Sequence, residues 1–480
     1  MTNADESGNR RDARDIDVGD ITVAEPATVR RAVGAAAIGN ITEWYDFGVY
    51  GYLATTIQKV FFSGLPTAAG QIATFGVFAV SFLIRPFGGL IFGPLGDRLG
   101  RKRVLSLTVI LMALGTFGLA LVPSYSAIGI AAPMLVLVAR LVQGVSTGGE
   151  YGNAMTFIAE YVPDRRRGFF GSWLEFGTLT GYAVGATIAT VLSSTLSDSA
   201  LLSWGWRIPF MLALPLGVIG LYLRARLEES PAYAQMSSQG KPHEASTLGA
   251  ELRVVFGKFW PQMLLCGGLV LTWNVTNYML TSYMPTYLTE TLPSYGSGMK
   301  DTVSEILQIV VLVILMIVIT FVGRLSDKVG RRPVVMVGCI ALVVLSLPSL
   351  LLIRAGNDIG TFFGLLLMGL TLVLFSAVLP STLPALFPTV IRAGALSIAF
   401  NISVSLFGGT TATVMSALVS STHDLNWPAY YLIIAGVIGA VCVYRMKESA
   451  RKPMSGSQPT VSTESEAREL VKAQASGSSE

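Results

Sequence analysis

Apolar residues in this chain gather into long blocks separated by short polar stretches. A helix crossing a bilayer needs about 20 mostly apolar residues, so blocks of this length predict membrane-spanning helices. Twelve can be read. In the first half they cover roughly 32–58, 70–93, 103–122, 130–159, 168–193 and 207–226. In the second half they cover roughly 260–289, 302–324, 333–353, 360–386, 394–419 and 428–446.

The polar stretches repeat. Gly93-Pro94-Leu95-Gly96-Asp97-Arg98-Leu99-Gly100-Arg101-Lys102 follows the second block. Gly323-Arg324-Leu325-Ser326-Asp327-Lys328-Val329-Gly330-Arg331-Arg332 follows the eighth, 230 residues further on in a chain of 480. Pro163-Asp164-Arg165-Arg166-Arg167-Gly168 after the fourth block matches Pro388-Thr389-Val390-Ile391-Arg392-Ala393 after the tenth, 225 residues on. A duplicated membrane protein predicts two lobes with a cavity between them. The expected fold is therefore an all-α integral membrane protein with twelve transmembrane helices in two pseudo-symmetric six-helix lobes. The expected division is a tail at 1–30, a first lobe at 31–226, a connector at 227–258, a second lobe at 259–446 and a tail at 447–480.

Basic residues fix the orientation, because positive charge stays on the cytoplasmic side. Arg30 and Arg31 precede the first block; Arg98, Arg101, Lys102 and Arg103 follow the second; Arg165, Arg166 and Arg167 follow the fourth. Lys328, Arg331 and Arg332 follow the eighth, Arg392 the tenth, and Arg445 and Lys447 the last. The alternate connectors hold little beyond Lys59, Lys300 and Arg354. Both termini are then cytoplasmic, which demands an even number of spans and supports twelve independently of hydropathy. The segment Met1–Thr28 lacks an apolar stretch ending in a cleavage site and reads as a cytosolic tail.

Composition agrees. The chain is 52% hydrophobic and 13% charged, with a mean hydropathy of +0.59, whereas a soluble domain carries about 25% charged residues. Most of its surface must face lipid. The net charge of +4 is spread over short loops, which argues against nucleic acid. Cys266, Cys339 and Cys442 all fall inside apolar blocks and read as buried thiols, with no disulfide, metal or cofactor expected. No phosphate-cradling GxxxxGK[ST] motif occurs, so ATP is not expected to drive transport. An ion or solute gradient remains.

Ionisable residues inside a bilayer are costly and mark function by default. Glu43 and Asp46 share one face of the first block. Arg85 lies in the second, Arg140 and Glu150 in the fourth, Glu175 in the fifth. His243 and His423 both lie in connectors, so proton coupling must use carboxylates: Glu43, Asp46, Glu150 or Glu175. Each reads equally as half of a static ion pair. In the repeated connector, Gly93, Gly100, Gly323 and Gly330 permit tight turns and close helix approach. Asp97 and Asp327 are placed to accept hydrogen bonds from a neighbouring helix N-terminus or an arginine. With Arg98, Arg101, Lys328 and Arg331 they form an expected gate.

Small residues every four positions (Gly144, Gly148 and Gly152; Gly177, Gly181 and Gly185) predict close helix packing. Trp44, Tyr50, Tyr151 and Trp173 lie within first-half blocks, and Asn274, Asn277 and Tyr278 share one face of the seventh. Aromatic faces attract quaternary ammonium groups. Amides and an arginine, Arg85 or Arg140, can hold a carboxylate. The set suits a zwitterion, although Trp and Tyr also serve as interfacial anchors.

The duplicated connector and Arg140-x-x-Gln143-Gly144 resemble the major facilitator superfamily. Gly39-Asn40-Ile41-Thr42-Glu43-Trp44-Tyr45-Asp46-Phe47-Gly48-Val49-Tyr50, Gly148-Gly149-Glu150-Tyr151 and Trp204-Gly205-Trp206-Arg207-Ile208-Pro209-Phe210 resemble its metabolite:proton symporters. Ser172–Gly177, Asn274–Leu280, Ser381–Thr389 and Phe400–Val404 are similar to the proline/betaine branch and add Asn401 to the cavity candidates. The resemblance implies proton-coupled uptake of a zwitterionic osmoprotectant across the inner membrane, activated by high osmolality. An organic acid such as α-ketoglutarate or citrate is the alternative substrate. The tail after Lys447 shows no sustained heptad, so no coiled coil is expected.

Overall fold

The computed structural model describes residues 18–226, 229–230, 233–234, 248–296 and 299–477. The first tail before Val18 and much of the expected connector, with His243, lie outside the described residues. Among the described residues, twelve long helical segments make up most of the structure. The first six are α1 (Pro26–Tyr52), α2 (Thr67–Leu83 and Arg85–Leu99), α3 (Arg101–Leu121), α4 (Ala131–Tyr161), α5 (Arg167–Thr195) and α6 (Arg207–Ala225). The last six are α7 (Trp260–Tyr278), α8 (Asp301–Val329), α9 (Arg331–Ile353), α10 (Asp358–Ser376), α11 (Arg392–Ser403, resuming at Thr411–Thr422) and α12 (Trp427–Arg445). A tail helix α13 (Glu464–Gly477) follows. Two short parallel strands, β1 (Thr22–Val23) and β2 (Thr460–Val461), join the tails, so both tails lie on one face.

Among the described residues eleven helical segments are long and apolar enough to cross a membrane. Helix α1 falls short because Asn40, Glu43 and Asp46 interrupt its apolar run, and all three are buried. The burial is inside out relative to a soluble protein: Ile72, Phe75, Ile317, Phe321 and Ile359 are exposed, while charged side chains fill the interior.

Among the described residues, five blocks expected as single spans are interrupted: short breaks fall at Leu53, Ile84 and Ala377–Val378 in the first, second and tenth, and π-helical turns enter the seventh and eleventh. Beyond Tyr278, α7 continues as π-helical turns at Met279–Tyr283 and Tyr287–Thr291. Pro285 lacks the N–H that would bond back to Thr281, which loosens the α-helical ladder there. In α11 a π-turn occupies Val404–Gly408. Such turns recur at functional sites.

Helix α1 packs along α5, α3 along α4 and α6, and α9 along α10 and α12. The lobes meet where α2 lies on α11 and α5 on α8. The two seams are equivalent, because duplication relates α2 to α8 and α5 to α11. Within the first lobe the glycine ridge of α5 lets α1 approach closely: a Cβ at Gly177, Gly181 or Gly185 would stand 2.6–2.7 Å from the carbonyl oxygens of Ala37, Ile41 and Tyr45. Gly181→Val is therefore expected to destroy this contact, whereas Gly34→Val, with open space at its Cβ, is expected to be tolerated. Size-exclusion profiles and apparent Tm in detergent check this: a monodisperse Gly181→Val protein of unchanged Tm would contradict the packing.

Candidate functional site

On the face that carries both termini, each lobe caps a helix of the other. Helices α5 and α11 begin after Arg166 and Ile391, whose side chains cap nothing. Their first N–H groups therefore need acceptors. The carboxylate of Asp97, at the end of α2, accepts from the N–H of Ala393 (3.2 Å) and Gly394 (2.7 Å). The carboxylate of Asp327, at the end of α8, accepts from Gly168 (2.7 Å) and Phe169 (2.8 Å). These are N-caps supplied across the lobe boundary, and each adds a negative charge at the positive end of a helix. Gly93 and Gly323 lie beside the same two seams, against Gly394 and Gly168. Gly100 and Gly330 turn the chain at φ 99° and 103°, a region that only glycine adopts without strain.

The arginines of the repeated motif are not equivalent. Arg101 lies 3.0 Å from Asp97 and 3.4 Å from Glu160, and donates to the Thr389 carbonyl (3.1 Å). Arg331 instead donates to the Ser381 carbonyl and to Ser449 Oγ, each at 2.9 Å. Arg98 and Lys328 sit at the rim, Lys328 exposed. Sequence reasoning missed Glu160. It joins Arg101 of one lobe to Arg392 of the other (2.8 Å). The signal was Glu160 at the end of α4, seven residues before Arg167; the matching position in the other half is Ala385, so the duplication hid it.

In the interior, Asp46 pairs with Arg140 and accepts from Gln143 (3.0 Å), and Tyr50 lies under the Arg140 guanidinium, 3.9 Å from ring centroid to carbon. Glu150 pairs with Arg224 at 2.6 Å. Arg224 stands at the end of the sixth predicted span, where its sequence position gave no sign of this partner. Glu175 accepts from Tyr151 and from Thr178 (2.8 Å). Glu43 differs: it is fully buried, neither oxygen has a hydrogen-bond partner among the described residues, and its nearest cation, Arg85, is 3.9 Å away.

Arg85 in turn has Nε and Nη2 without acceptors and sits against the rings of Phe82 (4.5 Å), Phe47 (4.9 Å) and Trp44 (5.8 Å). Trp44 packs on Tyr182 (5.2 Å) and, across the lobe boundary, on Tyr278 (6.4 Å), which also meets Phe82 edge-on (5.4 Å). Trp44 Nε1 and Tyr278 Oη are buried and unpartnered as well. A second interlobe aromatic group joins Tyr151 to Trp273 and Phe400. The structure thus brings together Glu43, Trp44, Arg85 and Tyr278. Phe82 went unnoticed because a phenyl ring in an apolar block carries no signal; Phe47 continues the face of Glu43 and Asp46 along the first block.

Other candidates stand apart. Trp173 is half-buried against Phe169 and Phe176. Asn274 donates to the Val270 carbonyl of its own helix (2.8 Å). Asn401 donates to the carbonyls of Gly148 and Ser397, both at 2.7 Å, tying α11 to α4. Asn277 is buried on the inner face of α7.

A family profile for the major facilitator superfamily matches residues 295–475, and one for sugar (and other) transporters matches 32–256. The glycine betaine/proline/ectoine/pipecolic acid transporter of Dickeya dadantii is 45% identical over 466 residues, covering 96% of this chain and 92% of the relative. The proline/betaine transporter of Escherichia coli K12 is 45% identical over 467 residues with the same coverage. This chain belongs to the major facilitator superfamily. A solved structure of the proton:xylose symporter XylE with bound 6-bromo-6-deoxy-D-glucose superposes with a TM-score of 0.74, covering 89% of this chain and 98% of that one, at 18% identity; the likeness supports the fold. The protein is accordingly a multi-pass membrane transporter of this superfamily, and not an enzyme.

The Asp46–Arg140 pair carries a stability prediction. Removing one partner of a buried pair strands the other charge and costs about 3–5 kcal/mol, whereas removing both costs less. Asp46→Asn should lower the apparent Tm markedly, and Asp46→Asn/Arg140→Gln should recover part of the loss. An additive double variant would show that the pair is not coupled.

Proposed function

We propose that this transporter is a proton symporter for zwitterionic osmoprotectants such as proline and glycine betaine. Uptake rises with osmolality, the protein resides in the inner membrane, and both termini are cytoplasmic. The observation that carries the reading is the concentration of unpartnered buried polar atoms in one aromatic box: Arg85 Nε and Nη2, Trp44 Nε1, Tyr278 Oη and both Glu43 oxygens. Buried polar groups without partners are costly, and a ligand that supplies the partners relieves that cost. A zwitterion fits both ends. Its carboxylate takes the Arg85, Trp44 and Tyr278 donors. Its ammonium group lies against the rings of Trp44 and Tyr278. The names of the relatives from Dickeya dadantii and Escherichia coli support the same class.

The charge count supports coupling to a proton. Arg85, Arg224, Glu150 and Glu175 lie within electrostatic reach of Glu43. Three carboxylates thus face two guanidiniums, while Asp46 and Arg140 balance each other. The surplus carboxylate is Glu43, and a proton there removes a buried negative charge that no donor hydrogen-bonds. The same surplus argues against a dicarboxylate or tricarboxylate substrate. The lobes, 31–226 and 259–446, rock about this site. With the terminal face sealed by the two trans caps, substrate and proton bind from outside. Parting of the α2–α11 and α5–α8 seams releases both inward.

Proteoliposome uptake of radiolabelled glycine betaine and proline, with and without an inward proton gradient and at two osmolalities, tests the reading. Gradient-driven uptake that rises with osmolality is expected. Accumulation of citrate or α-ketoglutarate instead would overturn it. Hydrogen bonds to charged groups are worth about 1.5–3 kcal/mol, so Arg85→Gln should raise KM for betaine about 10- to 100-fold. Glu43→Gln should lose gradient-driven accumulation but keep betaine counterflow. Unimpaired accumulation in Glu43→Gln would move the proton elsewhere.

A further inference from the structure

The chain after α12 does not leave the molecule. Glu448 accepts from the N–H groups of Arg331 (3.1 Å) and Arg332 (3.0 Å), anchoring the tail at the start of α9. Glu448 lies outside the membrane-spanning helices: burial alone would raise its carboxyl pKa, and these N–H groups with those of Ser449 and Ala450 bring it below the ordinary carboxylate value. Arg451, at φ 59°, turns the chain and donates to the Asp327 carbonyl (2.7 Å). The tail then runs in irregular backbone over the junction of the lobes.

There the groups that receive it are duplicates. Arg167 and Arg392 correspond, as do Asp164 and Thr389. Arg167 donates to the Lys452 carbonyl (3.1 Å), and Arg392 to the Ser455 carbonyl (2.8 Å). The N–H of Thr389 donates to the same Ser455 carbonyl (3.1 Å), and Asp164 accepts from the N–H of Thr460 (3.1 Å). Gly456, at φ 77°, makes the bend: a Cβ there would stand 3.2 Å from Thr389 Oγ1. The tail then pairs with the segment leading into α1, Thr22 donating to the Pro459 carbonyl (2.9 Å) and Ala24 to that of Val461 (2.8 Å). Ile21, Val461 and Ala467 close a small apolar cluster under α13.

We propose that the seam between the lobes on the terminal face is a binding groove for a peptide that crosses it with one tight bend, built from Asp164, Arg167, Thr389 and Arg392 and occupied by this chain's own segment from Arg451 to Val461. Recognition runs through the Lys452 and Ser455 carbonyls, the Thr460 N–H and the Ser457 hydroxyl, which lies 3.2 Å from Arg392 Nη1 and 2.9 Å from Thr389 Oγ1, so it reads the bent backbone and one small polar side chain. The two arginines are fully buried with the seam closed, and Arg392 belongs to the lobe opposite Asp164 and Arg167. When the lobes part on this face, the groove is pulled in two and one end of the occupant must let go. The bound tail therefore favours the sealed state by its differential affinity for it. Glu160, bonded to Arg392 beneath the groove, joins the strap to the gate itself.

The test uses the full-length protein with Cys266, Cys339 and Cys442 replaced and a reporter, Ser397→Cys, which is fully buried at the α2–α11 seam against Gly93 and Gly152. Labelling by an impermeant maleimide from the terminal face reads how often the seam opens. Thr460→Pro removes the donor to Asp164; Gly456→Val is incompatible with its backbone and collides with Thr389; Thr22→Pro removes the strand donor from the other tail. None touches the aromatic box or the spanning helices. Each should raise the labelling rate about tenfold. A synthetic peptide spanning Arg451–Val461, added in excess, should restore protection. Unchanged labelling in well-folded Thr460→Pro and Gly456→Val, or in Thr22→Pro should either misfold, would overturn the proposal. Faster labelling that the peptide does not reverse would also overturn it, because the groove would then not be a peptide site. Labelling requires no substrate, so the outcome stands apart from the osmoprotectant reading.

Discussion

Two carboxylates, Asp97 and Asp327, each finish a helix that belongs to the other lobe. A helix start leaves its first N–H groups without partners, and in most helices a residue just upstream supplies the acceptor. Here Arg166 and Ile391 do not, so α5 and α11 are complete only when the lobes are together on the terminal face. That single constraint places the seams, aligns Gly93 with Gly394 and Gly323 with Gly168, and brings Glu160 within reach of Arg392. It also makes closure reversible. Parting exposes the N–H groups and the carboxylates to water, which replaces most of the lost bonding, so neither state is far below the other.

The interior follows from the opposite constraint. Away from water, each charge needs a partner. Asp46 has Arg140, Glu150 has Arg224, and Glu175 has Tyr151 and Thr178. Glu43 and Arg85 are held near each other without a hydrogen bond, inside rings contributed by both lobes. The partnered charges fix helix register; on the proposed reading the unpartnered ones are left for cargo. Because Trp44 and Tyr278 come from different lobes, whatever occupies the box feels the relative position of the lobes.

Much of this was legible in the sequence. Block length gives spanning helices because a bilayer has one thickness, and the repeated connector gives the duplication because both copies solve the same capping problem. The ridge of Gly177, Gly181 and Gly185 is visible because close backbone approach admits almost nothing else. What stayed hidden depends on tertiary contact. The bends after Tyr278 and Ser403 depend on which neighbours accept an irregular turn. Glu160 had no duplicate to draw attention to it. Arg224 resembles any basic residue at a helix end until Glu150 is seen beside it. Asn401 carries a polar side chain toward the lobe boundary, as a cavity residue would, and its Nδ2 also ties α11 to α4, which the sequence does not show.

The most direct measurement is the distance between spin labels at Leu99 and Val329, exposed and equivalent positions at the ends of α2 and α8. It would be made by pulsed electron resonance in a background with the three cysteines replaced. If the trans caps hold the lobes together, the native protein shows one dominant short separation, and Asp97→Asn/Asp327→Asn adds or shifts to a longer one. An unchanged distance distribution in the double variant would contradict the account, because closure of the terminal face would then not depend on these two carboxylates.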